Sequence, residues 1–281
     1  MIKVEHSVFA LPFALVGMMW GSLESHNSPW PGWHVFGLIV LAMVAARSTA
    51  MAFNRIVDRD IDAMNPRTQN RALPKGLLKV GTASSLTLFS AAVFVLAAAG
   101  LNPLALSLSP VALLVTLGYS WCKRFTSLSH FVLGLSLGIA PAAAWIGVSG
   151  SLHPAILPTV LAVALWTAGF DILYSLQDED FDKKNNLRSL PASIGRKGAL
   201  LVSRLCHVGA FGALCGSVVA VGGGAWLWAG VAGVALMLAY EQSLVKADDL
   251  SRVNMAFFTV NGFVSIGFFL FAWIDVVVRS M

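Results

Sequence analysis

Apolar runs of about twenty residues recur from one end of this 281-residue chain to the other, and that repetition constrains its fold more than anything else in the sequence. About 17 to 25 apolar residues in a helix cross the hydrocarbon core of a bilayer. Nine such runs fall roughly at 7–23, 34–54, 80–99, 103–121, 131–149, 155–175, 199–221, 225–240 and 256–278. Inside lipid each backbone polar group needs a partner within its own segment, so runs of this kind form helices. The expectation is an all-α, polytopic membrane protein forming one transmembrane domain over residues 1–281. Composition agrees: 57% of residues are hydrophobic and only 12% charged, against about a quarter charged in an ordinary soluble domain. Cys122, Cys206 and Cys215 have no C-x-x-C spacing and the six histidines form no metal-ligand motif, which excludes a disulfide framework and a zinc site. Lys3 precedes the first run as in a secretory signal, but Glu5 and the lack of an A-x-A site favour a retained helix.

The 19 Lys and Arg outnumber the 14 Asp and Glu, giving +5. In a soluble protein that excess would suggest nucleic acid; in a membrane protein it sets orientation. Loops 2–3, 4–5, 6–7 and 8–9 carry six, two, five and two basic residues and the alternate loops none. This places the N-terminus and those four loops on the cytoplasmic side of a bacterial-type inner membrane, with no nucleic-acid partner.

Eight of the 14 acids lie in two short segments at the cytoplasmic ends of helices two and six. The first holds Asp58, Asp60 and Asp62; the second holds Asp171, Asp178, Glu179, Asp180 and Asp182. Basic stretches follow both: Asn70-Arg71-Ala72-Leu73-Pro74 and Leu187-Arg188-Ser189-Leu190-Pro191. Asp58 to Asp178 is 120 residues and Arg71 to Arg188 is 117, so a four-helix unit occurs twice, with one helix left over. An even number of spans gives both copies the same orientation, and two similar half-sites then face one cavity.

Asn54, Asp58 and Asp62 recur every four residues on one helical face, and Asp171, Tyr174, Ser175, Asp178 and Asp182 share a stripe. Glu179 and Asp180 leave that stripe and are expected in solvent. Carboxylates four apart repel, and a hard cation that takes oxygen ligands and substrate phosphate gives them a purpose. The two pairs suit two Mg²⁺ ions against a diphosphate, with Arg71 and Arg188 in the adjoining basic loops. Asp171 and Arg47 each lie seven residues deeper than their motif, about 10 Å along a helix. Either they pair with each other or one meets a polar end of the substrate. Lys123 and Arg124 read as topology markers or as phosphate and carboxylate ligands. Gly134-x-x-x-Gly138 and Gly212-x-x-x-Gly216 read as packing surfaces, and Arg204 and Asp275 as snorkelling residues near helix ends.

The segments N-R-x-x-D-x-x-I-D at 54–62 and D-x-x-Y-S-x-Q-D-x-x-F-D at 171–182 resemble the UbiA superfamily of intramembrane aromatic prenyltransferases, especially its 4-hydroxybenzoate polyprenyltransferase branch. Lys123-Arg124-Phe125-Thr126 and Asn70-Arg71-x-Leu73-Pro74 are also typical of that branch. The likeness covers nearly the whole chain. It implies a UbiA-like bundle of nine helices around a central cavity that opens to lipid for a polyprenyl tail. It further implies that Asn54, Asp58 and Asp62 form one Mg²⁺ site and Asp178 and Asp182 a second. Lys123 would then lie near the diphosphate, Arg124 near the acceptor carboxylate, and Asp171 and Tyr174 beside the cavity.

The reaction so implied transfers a polyprenyl group from its diphosphate to the ring of a small aromatic acid, ortho to the hydroxyl, in respiratory quinone biosynthesis. The acceptor is 4-hydroxybenzoate or, because Asn54-Arg55 and Gln177-Asp178 depart from some members' motifs, the 1,4-dihydroxy-6-naphthoate of a menaquinone route. No catalytic base stands out; an aspartate or the released diphosphate would serve. An ion-coupled transporter is the rival class, but it places carboxylates near the midplane rather than at helix ends beside Arg and Lys.

Overall fold

The computed structural model describes residues 7–280, so Lys3 and Glu5 lie outside it. In chain order the helices are α1 (Ser7–His26), α2 (Trp33–Val57), α3 (Arg59–Met64), α4 (Val80–Leu101), α5 (Pro103–Cys122), α6 (Ser129–Ser149), α7 (Leu157–Ser175), α8 (Glu179–Lys184), α9 (Leu190–Ala220), α10 (Ala225–Leu244) and α11 (Asn261–Ser280). A π-helical turn, Met255–Val260, leads into α11. Strands are absent among the described residues. Leaving aside the six-residue α3 and α8, nine long helices stand among the described residues where the nine apolar runs do, and eight of them are long and apolar enough to cross a membrane. Leu88, Phe89, Leu96, Leu114, Val219 and Leu236 stand exposed on the outside, a surface suited to lipid rather than water.

Boundaries agree with the sequence to within a few residues, except at α9, which starts nine residues before the expected 199. Ser189 caps it, its Oγ accepting from the Ala192 amide, and Pro191 fills the first turn. Gly195, at φ 73°, then kinks the chain, so the long apolar part begins beyond it.

Close approach of helices depends on small residues. A Cβ on Gly134 would fall 2.2 Å from the Ala164 carbonyl oxygen and one on Gly17 2.0 Å from that of Pro141, so α6 meets α7 and α1 backbone to backbone. Gly212 has open space beside it, and the expectation of a second glycine packing surface fails there. Asp275 also departs from expectation. It is buried rather than snorkelling, because it accepts hydrogen bonds from the Gly224 and Leu227 amides (3.0 and 3.2 Å), left free at the start of α10. Arg204 is exposed on α9.

The two halves repeat each other. Helix α2 breaks at Asp58 into the short α3, and α7 breaks through a single 3₁₀ turn, Leu176–Asp178, into the equally short α8. The four basic loops meet at one end of the bundle. Arg124 Nη2 donates to the Val57 carbonyl (2.7 Å), the Arg188 amide to the Lys123 carbonyl (2.8 Å) and Arg196 Nη1 to the Ala247 carbonyl (3.4 Å). Both acidic segments open at this end.

Candidate functional site

A cavity of about 200 Å³ opens there, walled by α2, α3, α5, α6, α7 and α8, and Asn54, Asp58, Asp62, Asp171, Asp178 and Asp182 all line it. In the first half the four-residue spacing survives the helix break, since the Asp58 amide still bonds the Asn54 carbonyl (2.9 Å) and the Asp62 amide that of Asp58 (2.7 Å). Asn54 Nδ2 donates to Asp58 Oδ2 at 2.9 Å. Buried Asp62 accepts from Arg71 Nη1 on both oxygens at 2.7 Å, with Arg55 4.0 Å away. In the second half Asp178 accepts from Arg67 Nε (2.9 Å), from Arg67 Nη2 and from Asn65 Nδ2 (3.1 Å). Asp182, 1% exposed, leaves Oδ2 without a partner.

Electrostatics tie the halves together. Burial pushes the Asp58 carboxyl above the usual carboxylate range, while Lys123 and Arg124 pull the other way. Burial opposes the charge on Lys123, but the carboxylates of Asp182, Asp178, Asp58 and Asp171 outweigh it and hold the ammonium above the ordinary lysine value. Lys123 thus stands as a cation among four acids. Tyr174 completes this wall: its hydroxyl accepts from Arg67 Nη1 (3.2 Å), the Arg67 guanidinium lies 5.2 Å from its ring centre, and Phe257 packs on it at 4.1 Å.

Several expectations need correction. Arg188 is exposed, away from the cavity, and donates to the Phe125 carbonyl (2.7 Å), because only a short loop separates α8 from α9 and its hydrogen bonds run to the 123–125 turn. Arg124 does not line the cavity either; it clamps the end of α2 through the Val57 and Ser120 carbonyls and Asp58 Oδ1 (3.3 Å). Glu179 is buried rather than solvated, held by Lys183 (2.6 Å) and Arg196 (2.7 Å), while Asp180 is exposed as expected. Arg47 and Asp171 both line the cavity without forming an ion pair with each other. Asp171 Oδ2 instead meets His130 Nδ1 at 2.7 Å, and Arg47 Nε is buried with no partner.

Asn65, Arg67 and His130 also belong to the site, though no sequence pattern singles them out. Asn65 and Arg67 were visible only as part of a basic loop three and five residues beyond Asp62, and His130 only as a lone histidine on an apolar helix. A buried network behind the wall is likewise unmarked in the sequence. Asn261 Nδ2 donates to Glu241 Oε1 (2.9 Å) and to the Ala256 and Phe257 carbonyls, holding the π turn that carries Phe257, while Trp166 Nε1 donates to Asn261 Oδ1 (2.7 Å).

Deeper, the space turns apolar. A second cavity shares Arg47, Tyr119, Leu133 and Leu137 with the first, and a third, about 270 Å³, shares Met43, Phe94, Ala112, Ile139 and Ala143 with the second. These two apolar cavities lie between α2, α4, α5 and α6, next to the polar site, and the third reaches Leu152 and Leu157.

The model of the UbiA prenyltransferase family matches residues 10–271. The chain belongs to that family. A 4-hydroxybenzoate octaprenyltransferase of Aliivibrio fischeri is 32% identical over 82% of this chain and 81% of its own length. A UbiA homolog from Aeropyrum pernix K1, solved in the apo form, covers all of both chains at 34% identity with a TM-score of 0.87. A UbiA homolog from Archaeoglobus fulgidus, solved with DMAPP and Mg²⁺, shares the fold with a TM-score of 0.72 over 98% of both chains at 18% identity. In this member of the UbiA prenyltransferase family the two acidic motifs fall at the two broken helices, which face one cavity.

Proposed function

We propose that the protein transfers a polyprenyl group from a polyprenyl diphosphate to the ring of 4-hydroxybenzoate, ortho to the hydroxyl, in respiratory quinone biosynthesis. One observation carries this reading: two carboxylate pairs open onto one cavity beside Arg67, Arg71 and Lys123, adjoining apolar cavities that share its wall residues. Such a site suits a ligand with a highly charged head and a long oily tail, and it does not suit an ion-coupled transporter. The name of the Aliivibrio fischeri relative supports the same substrates.

The donor set fits a hard divalent cation, since Asn54, Asp58, Asp62, Asp178 and Asp182 offer oxygen atoms and Asp182 Oδ2 is buried without a partner. Among the described residues no three His, Cys, Asp or Glu side chains converge to hold a metal by themselves, and Mg²⁺ is commonly held by one or two carboxylates with substrate phosphate and water in its other positions. We assign Asn54, Asp58 and Asp62 to one Mg²⁺ and Asp178 and Asp182 to a second, and the ligands in the Archaeoglobus fulgidus structure support a metal and diphosphate here. When bound, the cations supply positive charge to the departing diphosphate.

The rest is done by the chain's own residues. Lys123, Arg71 and Arg67 stabilise the charge that develops on the leaving group. Burying a guanidinium nitrogen without a partner is costly, so Arg47 is suited to receive the acceptor carboxylate. Apolar walls around Phe170 and Phe257 keep water from the allylic cation. All of residues 1–281 act as one catalytic domain. The basic loops and both acidic segments face the cytoplasm, with the N-terminus on the same side, in the inner membrane.

The test is a product assay on membranes carrying the protein, with geranyl diphosphate as donor and either 4-hydroxybenzoate or 1,4-dihydroxy-6-naphthoate as acceptor. Prenylated 4-hydroxybenzoate is expected. Product from the naphthoate alone reassigns the acceptor, and product from neither refutes the reaction.

A further inference from the structure

We propose that Asp171, held in place by His130, is the base that removes the ring proton and restores aromaticity after the new carbon–carbon bond forms. This inference rests on the reaction proposed above.

Buried polar groups normally have hydrogen-bond partners, yet five cavity-lining residues leave one buried atom each with none; besides Asp182 Oδ2, four stand outside the acidic motifs: Arg47 Nε, Ser129 Oγ, His130 Nε2 and Thr167 Oγ1. They come from α2, α6 and α7 and mark a part of the cavity built for a polar ligand. Asp171 lines the same region, one helical turn beyond Thr167 on α7. Its Oδ2 meets His130 Nδ1 at 2.7 Å, and Oδ1 accepts no hydrogen bond from the described residues. The Asp171 side chain is 23% exposed, while that of His130, which also lines the cavity, is 1% exposed. The carboxylate is thus the accessible member of the pair, and the imidazole holds it. With the proton on Nδ1, His130 fixes one oxygen and leaves the lone pairs of the other for an incoming proton.

Position favours this acid over the others. Asp58 and Asp62 are held by Asn54 and Arg71, and Asp178 by Arg67 and Asn65. Those three and Asp182, the fourth motif acid, lie where the diphosphate belongs. Asp171 lies seven residues before Asp178, about 10 Å deeper at the helical rise, which is about the span of a metal-bound diphosphate, the allylic carbon and one aromatic ring. Arg47 lies seven residues before Asn54 on α2, at comparable depth. The Tyr174 hydroxyl, one turn further along α7, is occupied by Arg67.

The step balances. The allylic carbon–oxygen bond breaks and its electron pair leaves with the diphosphate. A ring π pair forms the bond to the allylic carbon. The pair of the ring carbon–hydrogen bond returns to the ring, and the proton goes to Asp171 Oδ1. No oxidant or further reactant is needed.

The experiment compares full-length wild type, Asp171→Asn, His130→Gln and His130→Ala, using geranyl diphosphate with 4-hydroxybenzoate or its 3,5-dideuterated form. Wild type should show equal rates for the two acceptors. Asp171→Asn should lose about 10²- to 10⁴-fold in kcat, the usual contribution of a positioned base. The acceptor KM should stay within about threefold of wild type, and the deuterated acceptor should now react more slowly because proton loss limits the rate. His130→Gln, which keeps a donor, should retain more rate than His130→Ala. A rate loss in Asp171→Asn with no isotope effect would assign Asp171 a structural role and overturn the proposal. So would undiminished kcat. Thermal unfolding of the purified variants excludes a folding defect, and His130→Gln tests the same pair independently: equal rates in His130→Gln and His130→Ala also overturn it. A wild type that prenylates neither acceptor instead removes the reaction itself.

Discussion

Removing Arg67 should destabilise the ligand-free protein more than removing the acid it pairs with. Asp178 is 5% exposed and takes two hydrogen bonds from the Arg67 guanidinium, while Arg67 gives a third to Tyr174. Charge-assisted hydrogen bonds contribute about 1.5 to 3 kcal/mol each, and stripping one partner from a buried pair costs about 3 to 5 kcal/mol, because the remaining charge is left stranded. The Arg67 side chain is 30% exposed, so solvent screens part of this, and about 2 to 3 kcal/mol is the expected loss for Arg67→Ala. Asp178→Asn strands a partly solvated guanidinium instead and should cost less. In a double-mutant cycle read from unfolding of the purified protein in detergent, the coupling should exceed about 1 kcal/mol. Mg²⁺ should restore stability to Arg67→Ala but not to Asp178→Asn, because the ion replaces the missing cation only where the carboxylate remains. Equal losses for the two single variants, coupling below about 0.5 kcal/mol, or no Mg²⁺ rescue of Arg67→Ala would refute this reasoning.

Three further outcomes follow from the same geometry. Arg71→Ala should raise the KM for the polyprenyl diphosphate about tenfold or more, as expected for a lost contact of about 1.5 kcal/mol or above. Arg188→Ala, whose side chain serves the Phe125 carbonyl, should leave that KM nearly unchanged; both are read in steady-state assays. Gly134→Leu should abolish folding, since even a Cβ at that position meets the Ala164 carbonyl, whereas Gly212→Leu should leave the thermal unfolding midpoint close to wild type. Arg47→Met should raise the KM for 4-hydroxybenzoate and leave that for the polyprenyl diphosphate nearly unchanged, because only the deeper ligand has a carboxylate to offer it.

The motif acids were legible in the sequence, and the basic residues only in part: Arg47, Arg71 and Lys123 line the cavity as read, whereas no pattern marks Arg67, and Arg188 and Arg124 stand away from it. In an apolar chain every carboxylate is conspicuous, and backbone hydrogen bonds carry the spacing of Asn54, Asp58 and Asp62 through the break after Val57, so a face read from the sequence survives in the fold. Arginines in loops have no such register. Arg67 reaches across to the second half while Arg188 turns back onto a neighbouring loop, and no spacing rule separates the two. The duplication therefore holds for the acids and fails for their counterions. Asp275 and Glu179 were misplaced for a related reason: a carboxylate near a helix end can serve the amides of another helix or the cations of another loop, and those partners are set by packing. The π turn at Met255–Val260 was invisible because it depends on Asn261 and Glu241, which local propensity does not distinguish from ordinary helix residues.

The most direct test of the account is metal-dependent product formation in membranes carrying wild type, Asp58→Ala or Asp178→Ala, supplied with geranyl diphosphate and 4-hydroxybenzoate, with Mg²⁺ or with EDTA. The account predicts prenylated 4-hydroxybenzoate from wild type with Mg²⁺ only, and almost none from either variant. Product that persists in EDTA, or that forms undiminished when Asp58 or Asp178 is replaced, would contradict it.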